Sequence, residues 1–214
     1  MPTIVDYASL STAITDFAHR SDLATYVDYF IQGAQEDINN DVFEKNQGNG
    51  IRWMENAFTT GNIDASGHFA VPADYIALKD MEVQVGQTWN DLAERGVSWI
   101  YNRYATRAAS GVPAYIAREG ANFIFGPYPD SAYAIQGTYY VKAALLTSGA
   151  PTNWMVLNAP LMLHAACMKK AALFLKDSEM LQTWDALYQG QLQTLVDRDK
   201  AERWSAATMQ IELG

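Results

Sequence analysis

Along the first fifth of the chain, apolar residues recur at intervals of three and four. Leu23, Val27, Phe30, Ile31, Ala34 and Ile38 fall on one face, and Asp28, Gln32, Gln35 and Glu36 on the other. That spacing predicts an amphipathic helix. Ser21 is its expected N-cap with Asp22 in the first turn, and its end is expected near Asn39-Asn40. A shorter helix is expected before it, from Ser9 to Ala18.

The pattern changes after Val42. "NQGNG" at 46–50 signals a loop, and short alternating or aromatic runs follow between Gly, Pro and Asn. They are Ile51–Thr59, His68–Val71, Ile76–Val85, Ala114–Arg118, Phe123–Phe125 and Tyr133–Ala143. Met81, Val83 and Val85 alternate with Glu82 and Gln84, the period of a half-buried strand. "REGANFIF" (118–125) reads as a hairpin turning at Gly120. Val97–Tyr104 fits a short helix or a strand equally well.

Helical spacing returns at the end. "SGAPTNWMVLNAP" (148–160) reads as a loop, with Pro160 suited to a first helical turn. Leu161, Ala165, Met168, Ala172 and Leu175 form one stripe. Asp177-Ser178 breaks and recaps it; Leu181, Trp184, Tyr188, Leu192 and Leu195 form a second, closed by the charged run Asp197–Arg203. So short a link predicts an antiparallel pair. The expected fold is α+β: residues 1–45 and 148–203 form a helical core, 46–147 a β-rich insertion, and 204–214 an extended C-terminal tail.

Composition narrows the function. The 214 residues are 49% hydrophobic and 18% charged, which suits a packed domain and argues against disorder. The net charge of −9 disfavours gripping a phosphate backbone, since that affinity comes from Lys and Arg. Cys167 is the only cysteine, so neither an internal disulfide nor a cysteine zinc cluster is expected. "MPTIVDYASLS" lacks the basic start and apolar run of a signal peptide, and no stretch reaches the ~20 apolar residues of a membrane span.

Catalytic signatures are weak. No phosphate-cradling Gly loop is present, and Gly96-Val97-Ser98-Trp99-Ile100 lacks the closing Gly of a nucleophile elbow. His164 and Cys167 are three apart and would share a helix face, as a buried thiol beside a histidine or as two ligands of a metal. Glu36-Asp37 and Asp80/Glu82 are carboxylate groups that read as solvated faces. No catalytic residue, cofactor or metal is therefore expected. Two other classes stay open: a small hydrolase or lyase using carboxylates of the β region, and a carbohydrate-binding module presenting Trp89 and Trp99.

The 12 Tyr and 6 Trp are numerous, and aromatics of this kind serve cores and protein interfaces alike. Within "FGPYPDSAYAIQGTYY" (125–140), Tyr128, Tyr133, Tyr139 and Tyr140 are divided between the two. Tyr139 and Tyr140 are adjacent and must point to opposite strand faces. In the tail, "TMQIEL" alternates like a strand, so Trp204, Met209, Ile211 and Leu213 are candidates for an arm that adds to a partner's surface.

One resemblance joins these pieces. "VPADYIAL" (71–78), "GVPAYIA" (111–117), "GPYPDSAYAIQGTYYVKAALL" (126–146) and "NWMVLNAPLMLHAACMKKAALFL" (153–175) occur in this order, after Glu36-Asp37-Ile38-Asn39. The series resembles the phage adaptor family, the head-to-tail connectors of tailed and especially short-tailed phages. It departs after Asn39, where the family carries an Arg-rich stretch and this chain brings only Arg52, late. The resemblance implies a virion protein made in the host cytoplasm and acting at the head–tail interface. It implies a homo-oligomeric, dodecameric ring docked beneath the portal protein and receiving a lower tail component, a nozzle or tail tube. DNA would pass through the channel without specific binding, and the tyrosines named above would serve subunit or tail contacts.

Overall fold

The computed structural model describes residues 3–59, 61–105 and 110–206. In chain order its helices are α1 (Tyr7–Phe17), α2 (Val27–Lys45), α3 (Val97–Arg103), α4 (Trp154–Asn158), α5 (Pro160–Leu175) and α6 (Ser178–Ala206). Its strands are β1 (Glu55–Ala57), β2 (Gly61–Asn62), β3 (His68–Ala70), β4 (Tyr75–Val85), β5 (Thr88–Asp91), β6 (Ala93–Glu94), β7 (Ser110–Gly111), β8 (Tyr115–Glu119), β9 (Asn122–Gly126), β10 (Tyr128–Pro129) and β11 (Ala134–Val141). The fold is α+β, with helices from both ends of the chain and a β-rich middle. It divides into a helical unit, residues 1–54 and 143–214, and a β unit, residues 55–142.

In the helical unit, α1 starts at a capping box. The Asp6 carboxylate accepts the Ser9 N–H at 2.8 Å, and the Ser9 hydroxyl accepts the Asp6 N–H at 3.0 Å. The predicted apolar face of α2 is buried throughout. Its ends differ from expectation. Ser21 opens a 3-10 turn, Ser21–Tyr26, and does not cap α2, which begins at Val27. At the other end Val42, one turn beyond Ile38, is fully buried, so packing carries the helix past Asn39-Asn40 to Lys45. Gln47, with a φ of 56°, turns the chain away.

The stretch expected as a loop holds α4, because the Asn153 side chain accepts the Met155 and Val156 N–H groups and caps a turn there. Helix α5 is enclosed along most of its circumference, from Met162 to Met168 and again at Ala171 and Ala172. Leu161 is 58% exposed, so the expected stripe does not include it. Lys176, in the left-handed region at φ 57°, ends α5, and Asp177 accepts the Met180 N–H to start α6. The two helices run antiparallel, with Lys169 paired to Asp185 at 2.9 Å. Tyr188 joins α6 to α2 by donating to Asp41 Oδ2 at 2.7 Å.

In the β unit, one antiparallel sheet has the order β1-β11-β4-β5, with β2 also on β11. A second has the order β3-β9-β8-β6, and β7 pairs with β10. Met81, Val83, Ile135 and Tyr139 of the first sheet and Ile116, Phe123 and Phe125 of the second fill one core with Phe58, Ile63 and Leu92. Gly120, at φ 61°, makes the two-residue turn of the β8–β9 hairpin. Residues 97–103 are the helix α3, of which only Ile100 is buried.

Candidate assembly surfaces

The structure separates the four tyrosines. Tyr139 belongs to the β core, with its ring centroid 4.5 Å from Phe58 and 5.9 Å from Tyr75. Its hydroxyl donates to Asp74 Oδ1 at 3.0 Å, and burial pushes its ionisation up. Tyr140 lies outside that cluster, as strand alternation requires, yet it too is buried. At 4% and 2% exposure both are buried within the chain, which leaves Tyr128 and Tyr133 as the more accessible of the four. The cause is position: β11 is hydrogen-bonded on both edges, and both its faces are closed at this point.

Tyr128 and Tyr133 are half-buried. Tyr133 donates to Asp130 at 2.6 Å, bracing the turn before β11. The Tyr128 ring lies so close over Gly67 that a Cβ there would come within 2.6 Å of it. With His68, Ile100, Tyr104 and Phe125, Tyr128 lines a cleft of about 170 Å³. His68 is half-buried on β3.

The residues weighed for chemistry each have their own packing or hydrogen-bonding environment. Cys167 is fully buried, and burial pushes its thiol well above the ordinary range. His164 is 5% exposed and wedged edge-on against Phe17 and Trp184, at centroid distances of 4.9 and 5.3 Å. Asp37 pairs with Lys170, Asp80 accepts the Thr138 N–H, and Glu82 accepts from Gln136. Among the described residues no three His, Cys, Asp or Glu side chains gather as a metal site, and no helix is long and apolar enough to cross a membrane. Trp89 sits half-buried on β5 while Trp99, on α3, is 40% exposed beneath the Arg95 guanidinium.

The helical unit carries an exposed surface that periodicity did not reveal. Tyr29 is 68% exposed, Tyr26 44%, Leu173 50% and Phe174 45%. The Phe174 ring centroid is 4.6 Å from Tyr26 and 5.7 Å from Phe30, so these side chains form one patch where α5 ends. Lys170, held by Asp37 at 2.8 Å, borders it. A signal was present. Leu173, Phe174 and Leu175 are consecutive, and a helix cannot turn three consecutive side chains to one core.

The C-terminal end of α6 grips the segment that leaves the helical unit. The 5%-exposed Asp199 accepts the Arg52 N–H at 2.9 Å and pairs with Arg203 at 2.8 Å. Arg203 also donates to the Gly50 carbonyl at 3.0 Å, and the Arg198 guanidinium lies 4.5 Å from the centre of the Trp53 ring. The backbone of Trp204 lies in the last turn of α6. Met209, Ile211 and Leu213 lie outside the described residues.

In sequence, then, two helical segments flank a β-rich middle, an α+β arrangement. Residues 5–211 match the family model described as SU10 adaptor protein, and the chain belongs to that family of phage adaptors, structural components of the virion. No curated protein matches the chain.

Proposed function

We propose that the protein is a head–tail adaptor that docks as a ring, twelve copies strong, beneath the portal protein, receives a nozzle or tail tube below, and lets DNA pass. The observation that carries this reading is the family match, which runs over nearly the whole chain. The charge supports it. A protomer of −9 offers DNA little to hold, and carboxylates on the channel wall would let phosphate slide past. The tail is the arm that reaches the portal: Trp204 anchors it in the last turn of α6, and Met209, Ile211 and Leu213 beyond it order on docking and bear the ordering cost then. Tyr128 and Tyr133 remain the β unit's candidates for subunit or tail contact.

The test is mass in solution by light scattering, first alone and then with the matching portal ring. The expected result is a monomer alone and a multi-copy complex on the portal. A monomer that ignores the portal would overturn the reading. Deleting 204–214 is expected to leave the fold intact and weaken portal binding, and unchanged binding would remove the arm.

A further inference from the structure

Besides Val5, Phe17, Leu145 and Leu187 elsewhere in the helical unit, exposed apolar residues lie near both ends of α5. Beside its C-terminal end lie Tyr26, Tyr29, Leu173 and Phe174. Beside its N-terminal end, twelve residues and about 18 Å away, lie Leu157, 62% exposed, and Leu161, 58% exposed. Leu173 stands between two hollows. One, of about 260 Å³, is lined by Tyr29, Lys170, Leu173 and Phe174. The other, of about 300 Å³, is lined by Ala172, Leu173, Lys176, Asp177, Ser178 and Leu181. Leu157, on α4, and Leu161, on α5, are four residues apart and both exposed. One chain thus carries two knobs at one end of α5 and two holes at the other.

Charge says what fits there. Residues 143–168, which hold Leu157 and Leu161, contain no Asp, Glu, Lys or Arg. Depletion of charge is the mark of an interface core. Copies that each carry −9 repel one another, so their contacts belong where charge is absent or internally cancelled. Beside the first patch the Arg198 guanidinium is paired with Glu202 at 3.1 Å; at the second the Lys170 ammonium is paired with Asp37, and Lys176 and Asp177 bring one charge of each sign. The area is also right. At about 200 Å² per large side chain, Tyr26, Tyr29, Leu173 and Phe174 leave on the order of 400 Å² uncovered, the size of the largest, often functional, patch on a monomer and half the ~800 Å² a standard interface takes from each partner.

We infer that Leu157 and Leu161 of one copy seat in the hollows beside Leu173 of the next, against Tyr26, Tyr29 and Phe174, so that copies join head to tail. Two different patches in contact make a heterologous interface, which closes into a ring when its rotation permits. The inference rests on the ring reading above and names the surface that builds it.

A short bis-maleimide cross-linker tests it, with Leu161→Cys and Leu173→Cys made singly and together. Cys167 is buried and stays silent. On the portal template the double variant is expected to give a ladder of linked copies reaching the closed ring, and each single variant none. A complex of normal mass whose double variant stays unlinked overturns the inference while the ring stands. Self-linking of the Leu173→Cys single variant overturns it too, because it would make the contact isologous. Absence of any ring by light scattering would instead sink the adaptor reading and this inference with it. As a second measurement, Tyr29→Glu and Phe174→Glu are expected to weaken ring formation more than tenfold while the thermal midpoint of the monomer is unmoved. Full assembly of both overturns the proposal.

Discussion

Gly137 sits in β11 opposite Met81 of β4, where the two backbones approach so closely that an added Cβ would lie 2.4 Å from the Asp80 carbonyl oxygen and 2.8 Å from Met81 Cα. Both obstacles are main chain, so no side chain can swing aside. Gly137→Ala is expected to destabilise the protein by roughly 1–3 kcal/mol, read as a lowered denaturation midpoint, with the loss concentrated in the β unit by hydrogen exchange. Gly86→Ala, with nothing near its Cβ but a φ of 64°, should cost less. His164 offers a different residue-scale test. Burial lowers its proton affinity below the ordinary 6.5, partly offset by its bond to the Ala13 backbone. Above pH 6.5 neither the folded nor the unfolded chain protonates this group, and its stabilising role is fully present. As pH falls below 6.5 the unfolded chain takes up a proton first, so stability declines at up to about 1.4 kcal/mol per pH unit until the folded value is reached. Urea midpoints at pH 7.5 and 5.5 should therefore differ for the native chain and differ less for His164→Leu. An equal drop in both would remove His164 as the cause.

At the scale of elements, the end of α6 is more than a terminus. Asp199 holds the Arg52 N–H, the first residue of the 3-10 turn Arg52–Met54, and orients Arg203 toward Gly50. Asp199→Ala removes a nearly buried carboxylate from two donors, and a loss of about 2–3 kcal/mol is expected, with faster amide exchange at residues 52–54. Exchange unchanged at those residues would show that the grip does not hold the segment. This grip was hidden in the sequence, where Asp197–Arg203 reads as a solvated charged run. What makes Asp199 special is a partner more than a hundred residues away, and no local spacing records that. Strands β4, β9 and β11 were legible because a half-buried strand prints its period directly, as Met81 and Val83 do against Glu82 and Gln84. The α2 boundary was misread because Asn39-Asn40 looks like a stop, while the buried Val42 beyond it outweighs that local preference. The exposed patch at Tyr29 and Phe174 was missed because stripe-finding credits every apolar residue near the stripe to the core. Tyr139 and Tyr140 point to opposite faces as adjacency requires, and both are buried because a strand closed on both faces buries both alternating sets.

For the molecule as a whole, the way the β unit is threaded makes a strong demand. Its first strand, β1, pairs antiparallel with the end of its last, β11, and Glu55 lies opposite Tyr140. Paired residues in such a ladder are about 5 Å apart, so the chain enters and leaves the β unit at nearly one point. A unit whose two ends meet can be lifted out without stretching either piece, because closing a short loop costs little. Each unit has its own apolar interior. In the β unit it is the core around Phe58, Val83 and Phe123; in the helical unit it is the packing of α2, α5 and α6 around Phe30, Leu163 and Tyr188. Residues 55–142 expressed alone are therefore expected to fold, giving dispersed amide resonances and a cooperative melt. The helical unit, with Met54 joined to Ala143 through a few Gly and Ser residues, should fold as well. The pair then assigns roles that the intact chain confounds. If the arm and the α5 surface carry assembly, the closed helical unit alone should still form rings on the portal, and the lower tail component should bind only when the β unit is present. A helical unit that folds but no longer assembles would move the ring contacts to the β unit, where Tyr128 and Tyr133 become the first side chains to replace.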